Sequence, residues 1–336
     1  MDAAVTPVHK SKIKCERRTF LFVCCVTIGT LLMFAYYESI TPSTRDKLHF
    51  KPQFNITGTD VMVFLHIQKT GGSTFGRHLV HDLNIECMKK NHTRVSNSHS
   101  CFRPNTMDPT WLFSRFSSGW KCGLHADWTS LKECVHTKVP SLPQGERKYH
   151  YFTILREPVA RYLSEWKHVS RGATWKLSYI LCNGAKRQLP ICYSGWDWTN
   201  VTLEEFMDCT ENPACNRQTW MLSDLRLVSC DGNGLSRDEM DSIMLQSAKE
   251  NIMDMPFFGL TERQKDSKFL FEYTFDLKFK VDFIDHNQTY ASAVRLDNVT
   301  MEGIKNRNKL DIELYKFAVE LFDQRLEQAK MNMNQS

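Results

Sequence analysis

The sequence predicts an α/β fold in which a parallel central sheet is flanked by helices. Two apolar runs, 61–67 (VMVFLHI) and 149–155 (YHYFTIL), have the β-branched or aromatic content of buried strands. Each run is followed by a loop and then by a segment with helical character, 73–83 and 158–169. Strand–loop–helix units that recur along a chain are typical of a parallel sheet.

Further elements continue this pattern towards the C-terminus. Helices are predicted over 238–252, 262–275 and 305–329, and a short strand over 257–260. The segments 84–148 and 176–236 are cysteine-rich and irregular in pattern. We expect these two segments to be loops that line a site.

The composition is that of a globular protein, since the 336 residues are 42% hydrophobic and 24% charged. It excludes a disordered, collagen-like or coiled-coil chain, and no repeat of about 20–50 residues indicates a solenoid or propeller. Of the net charge of +5, residues 1–18 contribute +3 through five basic and two acidic side chains, which leaves +2 for the rest. No nucleic-acid partner is therefore expected, and an anionic partner would need a local basic cluster.

Residues 19–37 form an uncharged apolar segment of 19 residues, long enough to cross a bilayer. Because the basic residues precede this segment, the positive-inside rule predicts a cytoplasmic tail over 1–18. We expect a type II protein with a membrane anchor at 19–37, a stem over 38–58, a lumenal domain over 59–330 and a tail over 331–336. A cleaved signal peptide is the alternative, although the apolar segment is longer than usual for one.

Sequons and cysteines also favour a lumenal location. Five Asn-X-Thr sequons follow the predicted anchor, at Asn55, Asn91, Asn200, Asn287 and Asn298. Nine of the 12 cysteines also follow it, and none has a spacing typical of zinc ligands. In an oxidising lumen they are expected to form disulfides and leave one cysteine over.

The loop after the first strand has the composition of an anion-binding site. It comprises His66, Ile67, Gln68, Lys69, Thr70, Gly71, Gly72, Ser73 and Thr74. The glycines allow close approach of the backbone, the helix N-terminus presents free N–H groups, and Lys69 adds a cation. An ordinary strand–helix turn is the alternative. A Walker A loop is excluded, since Arg77-His78 stand where Lys-Ser/Thr is required.

This loop resembles the 5′-phosphosulfate loop of sulfotransferases that use 3′-phosphoadenosine 5′-phosphosulfate (PAPS). The resemblance implies a 3′-phosphate site made by an Arg at the end of a strand and a Ser eight residues later. Arg156 and Ser164 have this spacing in LREPVARYLSEW. Eight residues are just over two helical turns, so both side chains can face one phosphate.

Longer segments resemble the heparan sulfate 6-O-sulfotransferase family over about residues 60–325. They are FLHIQKTGGSTFGRHLV, TWLFSRFSSGWKCGLHADW, LREPVARYLSEWKHVSRGATWK, LEEFMDC and FFGLTERQ. Small departures occur at Ser73, Glu157 and Ala160. The resemblance implies a Golgi enzyme that transfers a sulfo group from PAPS to the 6-hydroxyl of glucosamine in heparan sulfate, with no metal.

The same resemblance assigns roles to individual residues. His125 is implied as the general base, which suits a neutral imidazole, and Lys69 as the cation that stabilises the leaving group. Sugar-binding positions and a distal cofactor segment are also implied. The sugar-binding positions are Lys89, Lys90, Arg115, Trp120, His168 and Trp175, and the cofactor segment comprises Ile284, Asp285, His286, Tyr290 and Ala291. Core packing is the alternative for the two tryptophans.

Two other functions stay open at this point. A uronyl 2-O-sulfotransferase would share the loop and the Arg–Ser spacing, but not all of SRFSSGWKCGLHADW and RGATWK. An inactive glycan-binding protein would keep the groove without turnover. Against it, Lys69, His125, Arg156 and Ser164 are all present.

Overall fold

The computed structural model describes residues 54–85, 87–89, 99–104, 110–140, 145–284 and 294–335. All of them belong to one compact unit, Lys51–Ser336. The predicted cytoplasmic tail, membrane anchor and most of the stem lie outside the described residues. In the described part of the chain, no helix is both long enough and apolar enough to span a bilayer.

The described residues form eight strands and nine α-helices. The strands are β1 (Val61–Leu65), β2 (Cys87–Lys89), β3 (His99–Cys101), β4 (Leu112–Phe113), β5 (Tyr149–Leu155), β6 (Tyr179–Cys182), β7 (Ala185–Gln188) and β8 (Phe257–Leu260). The helices are α1 (Gly72–His81), α2 (Trp128–Lys138), α3 (Pro158–Val169), α4 (Leu203–Asp208), α5 (Arg217–Leu222), α6 (Arg237–Asp254), α7 (Gln264–Phe275), α8 (Asn298–Arg307) and α9 (Lys309–Gln335).

The central sheet is parallel, as predicted, with the strand order β4-β1-β5-β8. In its register Leu65 lies opposite Thr153, and Leu155 lies opposite Leu260. The carboxyl ends of β1, β5 and β8 therefore meet at one edge. Loops that follow these strands are brought together there, although they are far apart in sequence.

Helices cover both faces of the sheet. Phe257 of β8 packs against Phe75 of α1 and Phe271 of α7, with ring centroids 6.0 and 5.3 Å apart. The next residue, Phe258, points to the opposite face because side chains alternate along a strand. It contacts Phe322 of α9 at 6.0 Å. The expected fold class, a parallel sheet flanked by helices, is confirmed.

Two expectations about secondary structure were wrong. The segments 84–148 and 176–236 contain α2, α4, α5 and the β6–β7 hairpin as well as loops. Two of their helices begin with a side-chain cap: Asp127 accepts a hydrogen bond from Ser130 N at the start of α2, and Thr202 accepts from Glu205 N at the start of α4. The helix expected over 305–329 is instead divided between α8 and α9 at Asn308.

The cysteine prediction is confirmed. Four disulfides are present, and one cysteine of the nine, Cys215, is free. The pairs are Cys87–Cys101, Cys122–Cys134, Cys182–Cys230 and Cys192–Cys209. All four pairs lie in segments that connect strands of the central sheet, and each pair links two positions within one such segment.

Candidate active site

A cavity of about 1070 Å³ lies at the carboxyl edge of the central sheet. It brings together most of the residues predicted from sequence. Those in its wall are His66, Gln68, Lys69, Gly71, Gly72, Ser73, Thr74, Arg115, Trp120, His125, Arg156, Ser164, His168 and Trp175. Ile67 and Thr70 belong to the same loop but are buried away from the cavity, and the Thr70 hydroxyl donates to the Ile67 carbonyl at 3.0 Å.

The loop between β1 and α1 has a backbone suited to close approach by a ligand. Lys69 and Gly71 both have left-handed φ angles, 65° and 75°. A Cβ added to Gly72 would lie 2.5 Å from Cδ2 of His66, so only glycine fits between the loop and that ring. The buried Gln68 side chain has an Nε2 donor without a hydrogen-bond partner among the described residues.

Side chains from neighbouring strand ends hold this loop in place. Nη1 of Arg156, which follows β5, donates to the Lys69 carbonyl at 3.0 Å. The Thr261 hydroxyl, which follows β8, lies 2.7 Å from the Thr70 carbonyl and 2.9 Å from the Leu155 carbonyl. The predicted sites after β1 and β5 are therefore two parts of one cavity.

Lys69 is the partly buried cation of the loop. Burial lowers its pKa, while nearby Glu165 opposes the shift and Arg171 and Arg156 add to it. An excess of positive charge beside an ammonium is unfavourable unless an anion is present. The loop is therefore electrostatically prepared for a negatively charged ligand.

His125 and His66 lie side by side, with ring centroids 5.0 Å apart. Nδ1 of His125 lies 3.2 Å from the carbonyl oxygen of His66. Burial lowers the pKa of His66 to about 3 and that of His125 well below its usual 6.5. The cations Arg115 and Lys69 add to the effect at His66. Both imidazoles are therefore neutral near pH 7, the form that a general base requires.

Helix α3 contributes a further part of the cavity wall. Ser164 and His168 are four residues apart, so they share the face of α3 that lines the cavity. Between them in sequence, the buried Glu165 carboxylate accepts from Trp175 Nε1 at 3.1 Å and from Arg161 Nη1 at 3.5 Å. These contacts fix the wall beneath the two cavity-facing side chains.

The predicted sugar-binding residues fall into different environments. Arg115 is exposed and lies 5.3 Å from the centre of the Trp120 ring, and its Nη1 donates to Ser73 Oγ at 3.3 Å. Trp120 is half-buried and forms an accessible part of the wall. Trp175 is only 5% exposed and packs with Phe206 at 5.9 Å. Trp175 therefore packs in the core and also lines the cavity, and its sugar-binding role stays a prediction.

Other predicted residues are not brought to the cavity or lie outside the described residues. Ile284 is 70% exposed and is not part of the cavity wall. Lys89 ends β2, but its side chain is not described. The remaining predicted residues outside the description are Lys90, Asn91, Asp285, His286, Asn287, Tyr290 and Ala291. Their roles stay predictions.

Sequence reasoning missed several residues of the site. Glu165, Lys167 and Arg171 line the cavity, and Thr261 supports the loop. Thr261 had a usable signal, because it directly follows a predicted strand and the ends of parallel strands meet at one edge. In the described ranges, no three His, Cys, Asp or Glu side chains are grouped so that they could hold a metal ion.

The fold and this cavity define a class of protein. Residues 52–318 match the model of the family described as "Sulfotransferase family". The chain belongs to the sulfotransferase family.

Comparison with individual proteins indicates a particular kind of sulfotransferase. The chain is 50% identical over 291 residues to heparan-sulfate 6-O-sulfotransferase 1-B of Danio rerio, which covers 84% of this chain and 71% of the relative. It is 50% identical over 299 residues to heparan-sulfate 6-O-sulfotransferase 3 of Homo sapiens, and the match covers 86% of this chain and 62% of that relative. For heparan-sulfate 6-O-sulfotransferase 1 of Cricetulus griseus the identity is 49% over 281 residues, and the match covers 81% of this chain and 70% of that relative. The resemblance drawn from the motifs is confirmed.

Proposed function

We propose that the chain transfers a sulfo group from PAPS to the 6-hydroxyl of glucosamine residues in heparan sulfate. The observation that carries this proposal is the hydrogen bond from Arg156 Nη1 to the Lys69 carbonyl. This bond connects the loop after β1 to the end of β5, the two places that would bind the 5′ and 3′ ends of PAPS. His125 lines the same cavity. The names of the relatives supply the acceptor and the position of the hydroxyl.

The residues present fit such a donor. Gln68 Nε2 has no hydrogen-bond partner among the residues that the structure describes, and only glycine fits at position 72; both features suit a site for an anionic group. Lys69, Ser73 and Thr74 would hold the 5′ end, and Arg156 with Ser164 the 3′-phosphate. When bound, PAPS supplies the sulfo group and a phosphate leaving group.

His125 would act as the general base, and its contact with His66 decides which ring nitrogen carries the proton. A carbonyl oxygen only accepts hydrogen bonds, so His125 donates from Nδ1 to His66 and has its lone pair on Nε2. Nε2 is the atom that would take the proton of the acceptor hydroxyl. The ammonium of Lys69 would stabilise negative charge that develops on the leaving phosphate.

The acceptor would enter beside Arg115 and Trp120. An arginine suits a sulfate or carboxylate group, and an accessible tryptophan ring suits a sugar face. Lys167, His168 and Arg171 lie in the wall of the same cavity and add positive charge or hydrogen-bond donors. A local cluster of this kind can hold a polyanion although the net charge outside residues 1–18 is only +2.

We also propose that residues 19–37 anchor the chain in the Golgi membrane, with the domain over 59–330 in the lumen. The described sequon asparagines, Asn55, Asn200 and Asn298, are all exposed. The four disulfides are typical of an oxidising compartment. Both observations support this placement.

The test is to incubate the purified full-length chain with PAPS and N-sulfated heparosan and to analyse the resulting disaccharides. We expect 6-O-sulfated glucosamine, and at least about a hundredfold less of it with a His125→Ala variant. Sulfate on the uronic acid would instead support the uronyl 2-O activity. Binding of the polymer without any transfer would support the glycan-binding alternative.

A further inference from the structure

Helix α5 lies behind the cavity and contacts both of its phosphate-binding parts. Its first two residues, Arg217 and Gln218, are buried, with 4% and 1% of their surfaces exposed. Neither side chain is part of the cavity wall. Neither side chain therefore reaches a ligand in the cavity directly, and both contact residues that do line it.

Gln218 holds the residue that ends β5. Its Nε2 donates to the Arg156 carbonyl at 2.8 Å, and its Oε1 accepts from the Arg156 backbone N–H at 2.9 Å. The side-chain amide thus satisfies both backbone groups of Arg156. This double contact fixes the position from which the Arg156 guanidinium reaches Lys69.

Arg217 holds the other part of the cavity. Its Nε donates to Gln68 Oε1 at 3.0 Å. Gln68 directly precedes Lys69 in the loop after β1. Adjacent residues of one helix therefore contact the two loops, although Gln68 and Arg156 lie far apart in the chain.

Helix α5 is itself fixed from behind. It has six residues and is too short to be stable alone. The buried Asp311 of α9 accepts from Gln218 N at 3.0 Å and from Thr219 N at 2.7 Å. These bonds satisfy backbone donors at the start of the helix, where a negative charge is favourable.

We infer that Arg217 and Gln218 are positioning residues that set the separation of the two phosphate-binding loops, and so determine affinity for the nucleotide donor. This inference rests on the proposed function. Rigid support of this kind matters because small displacements of binding groups have large effects on affinity and rate.

The test compares Gln218→Met with a matched control in α6, Asn251, whose side chain contacts Leu222 at the other end of α5. Methionine has a similar length but neither donates nor accepts the two amide hydrogen bonds. The control is Asn251→Leu, which removes a hydrogen bond of 2.7 Å from Asn251 Nδ2 to the Leu222 carbonyl. For each protein we would measure the Tm, the Kd for adenosine 3′,5′-bisphosphate and the KM of each substrate.

Both variants are expected to lower the Tm, but only Gln218→Met should change nucleotide binding. We expect its Kd for adenosine 3′,5′-bisphosphate and its KM for PAPS to rise about tenfold to a hundredfold, with the KM for the glycan unchanged. In an Arg156→Met background the same substitution should change the Kd by less than about twofold, because Gln218 acts through Arg156.

An equal Kd in Gln218→Met and Asn251→Leu would overturn the inference while leaving the proposed function intact. Failure of the unaltered chain to bind adenosine 3′,5′-bisphosphate would overturn both. If Gln218→Met does not fold, Gln218→Glu and Arg217→Met provide the same comparison. Glutamate keeps the oxygen that accepts from Arg156 N, and the Arg217 variant removes the hydrogen bond to Gln68 while leaving the contacts to Arg156 intact.

Discussion

Nδ1 of His125 lies 3.2 Å from the carbonyl oxygen of His66, a residue 59 positions earlier in the chain. This contact joins the loop after β1 to the segment that leads into α2. It also fixes the tautomer of His125, because the carbonyl accepts and Nδ1 must donate. Nε2 is left with the lone pair that a general base uses.

Removal of the imidazole should abolish transfer without loss of nucleotide binding. We expect His125→Ala to lower kcat by about 10²–10⁴-fold, the usual contribution of a general base. Steady-state kinetics and calorimetric titration with adenosine 3′,5′-bisphosphate would measure the two effects. The exposed His136 of α2 offers a control, and His136→Ala should behave like the unaltered chain. Full turnover in His125→Ala would exclude His125 as the base.

The rate should be insensitive to mild acid. Burial lowers the pKa of His125 well below 6.5, and the neighbouring His66 and cationic Arg217 lower it further. The neutral form therefore persists below the usual range of histidine. We expect kcat at saturating substrates to change less than about twofold between about pH 7 and about pH 5.5. A decline with an apparent pKa near 6.5 would contradict this.

The free energy of unfolding, in contrast, should decrease as the pH falls. Burial keeps His66 neutral down to a pKa of about 3, while in the unfolded chain it titrates near 6.5. Between these values the unfolded state binds a proton that the folded state does not, so the free energy of unfolding decreases as the pH falls. His125, His150 and His168, whose pKa values are also lowered by burial, contribute in the same direction.

Thermal unfolding from about pH 7 to about pH 4.5 would test this. We expect His66→Gln to reduce the dependence of Tm on pH, and His136→Gln to leave it unchanged. Identical pH profiles for His66→Gln and the unaltered chain would show that His66 does not contribute.

A methyl group at Gly72 should disturb both the loop and His125, the proposed general base. It would lie 2.5 Å from Cδ2 of His66 and 3.2 Å from Cζ of Phe64, so the His66 ring must move. We expect Gly72→Ala to lower the free energy of unfolding by about 1–3 kcal/mol. We also expect kcat to fall at least about tenfold, because the His66 backbone holds His125.

Urea denaturation and steady-state kinetics would measure both effects of Gly72→Ala. Gly195→Ala is the control, since a Cβ at Gly195 would meet nothing closer than the Asp197 backbone oxygen at 3.4 Å. Wild-type kinetics in Gly72→Ala would mean that the His66 ring can move without displacing His125.

Local patterns were enough to predict the parts of the site that lie within one strand–loop–helix unit. The loop from His66 to Thr74 and the spacing of Arg156 and Ser164 are examples. A buried strand, a glycine pair and a helix start are each encoded within about ten residues, so their signals survive in a single sequence. The motif containing His125 was recognised by resemblance, since spacing alone does not distinguish it among 12 histidines.

The sequence by itself thus determined the fold class, the glycine-containing loop that lines the cavity, and the family. Only the tertiary structure decided which strands are neighbours, that Trp175 is buried, and that Thr261 and Gln218 support the site. Those relations join residues up to 191 positions apart, and no local periodicity encodes them. The lowered pKa values of His66 and His125 have the same origin, because desolvation depends on which distant side chains surround a group.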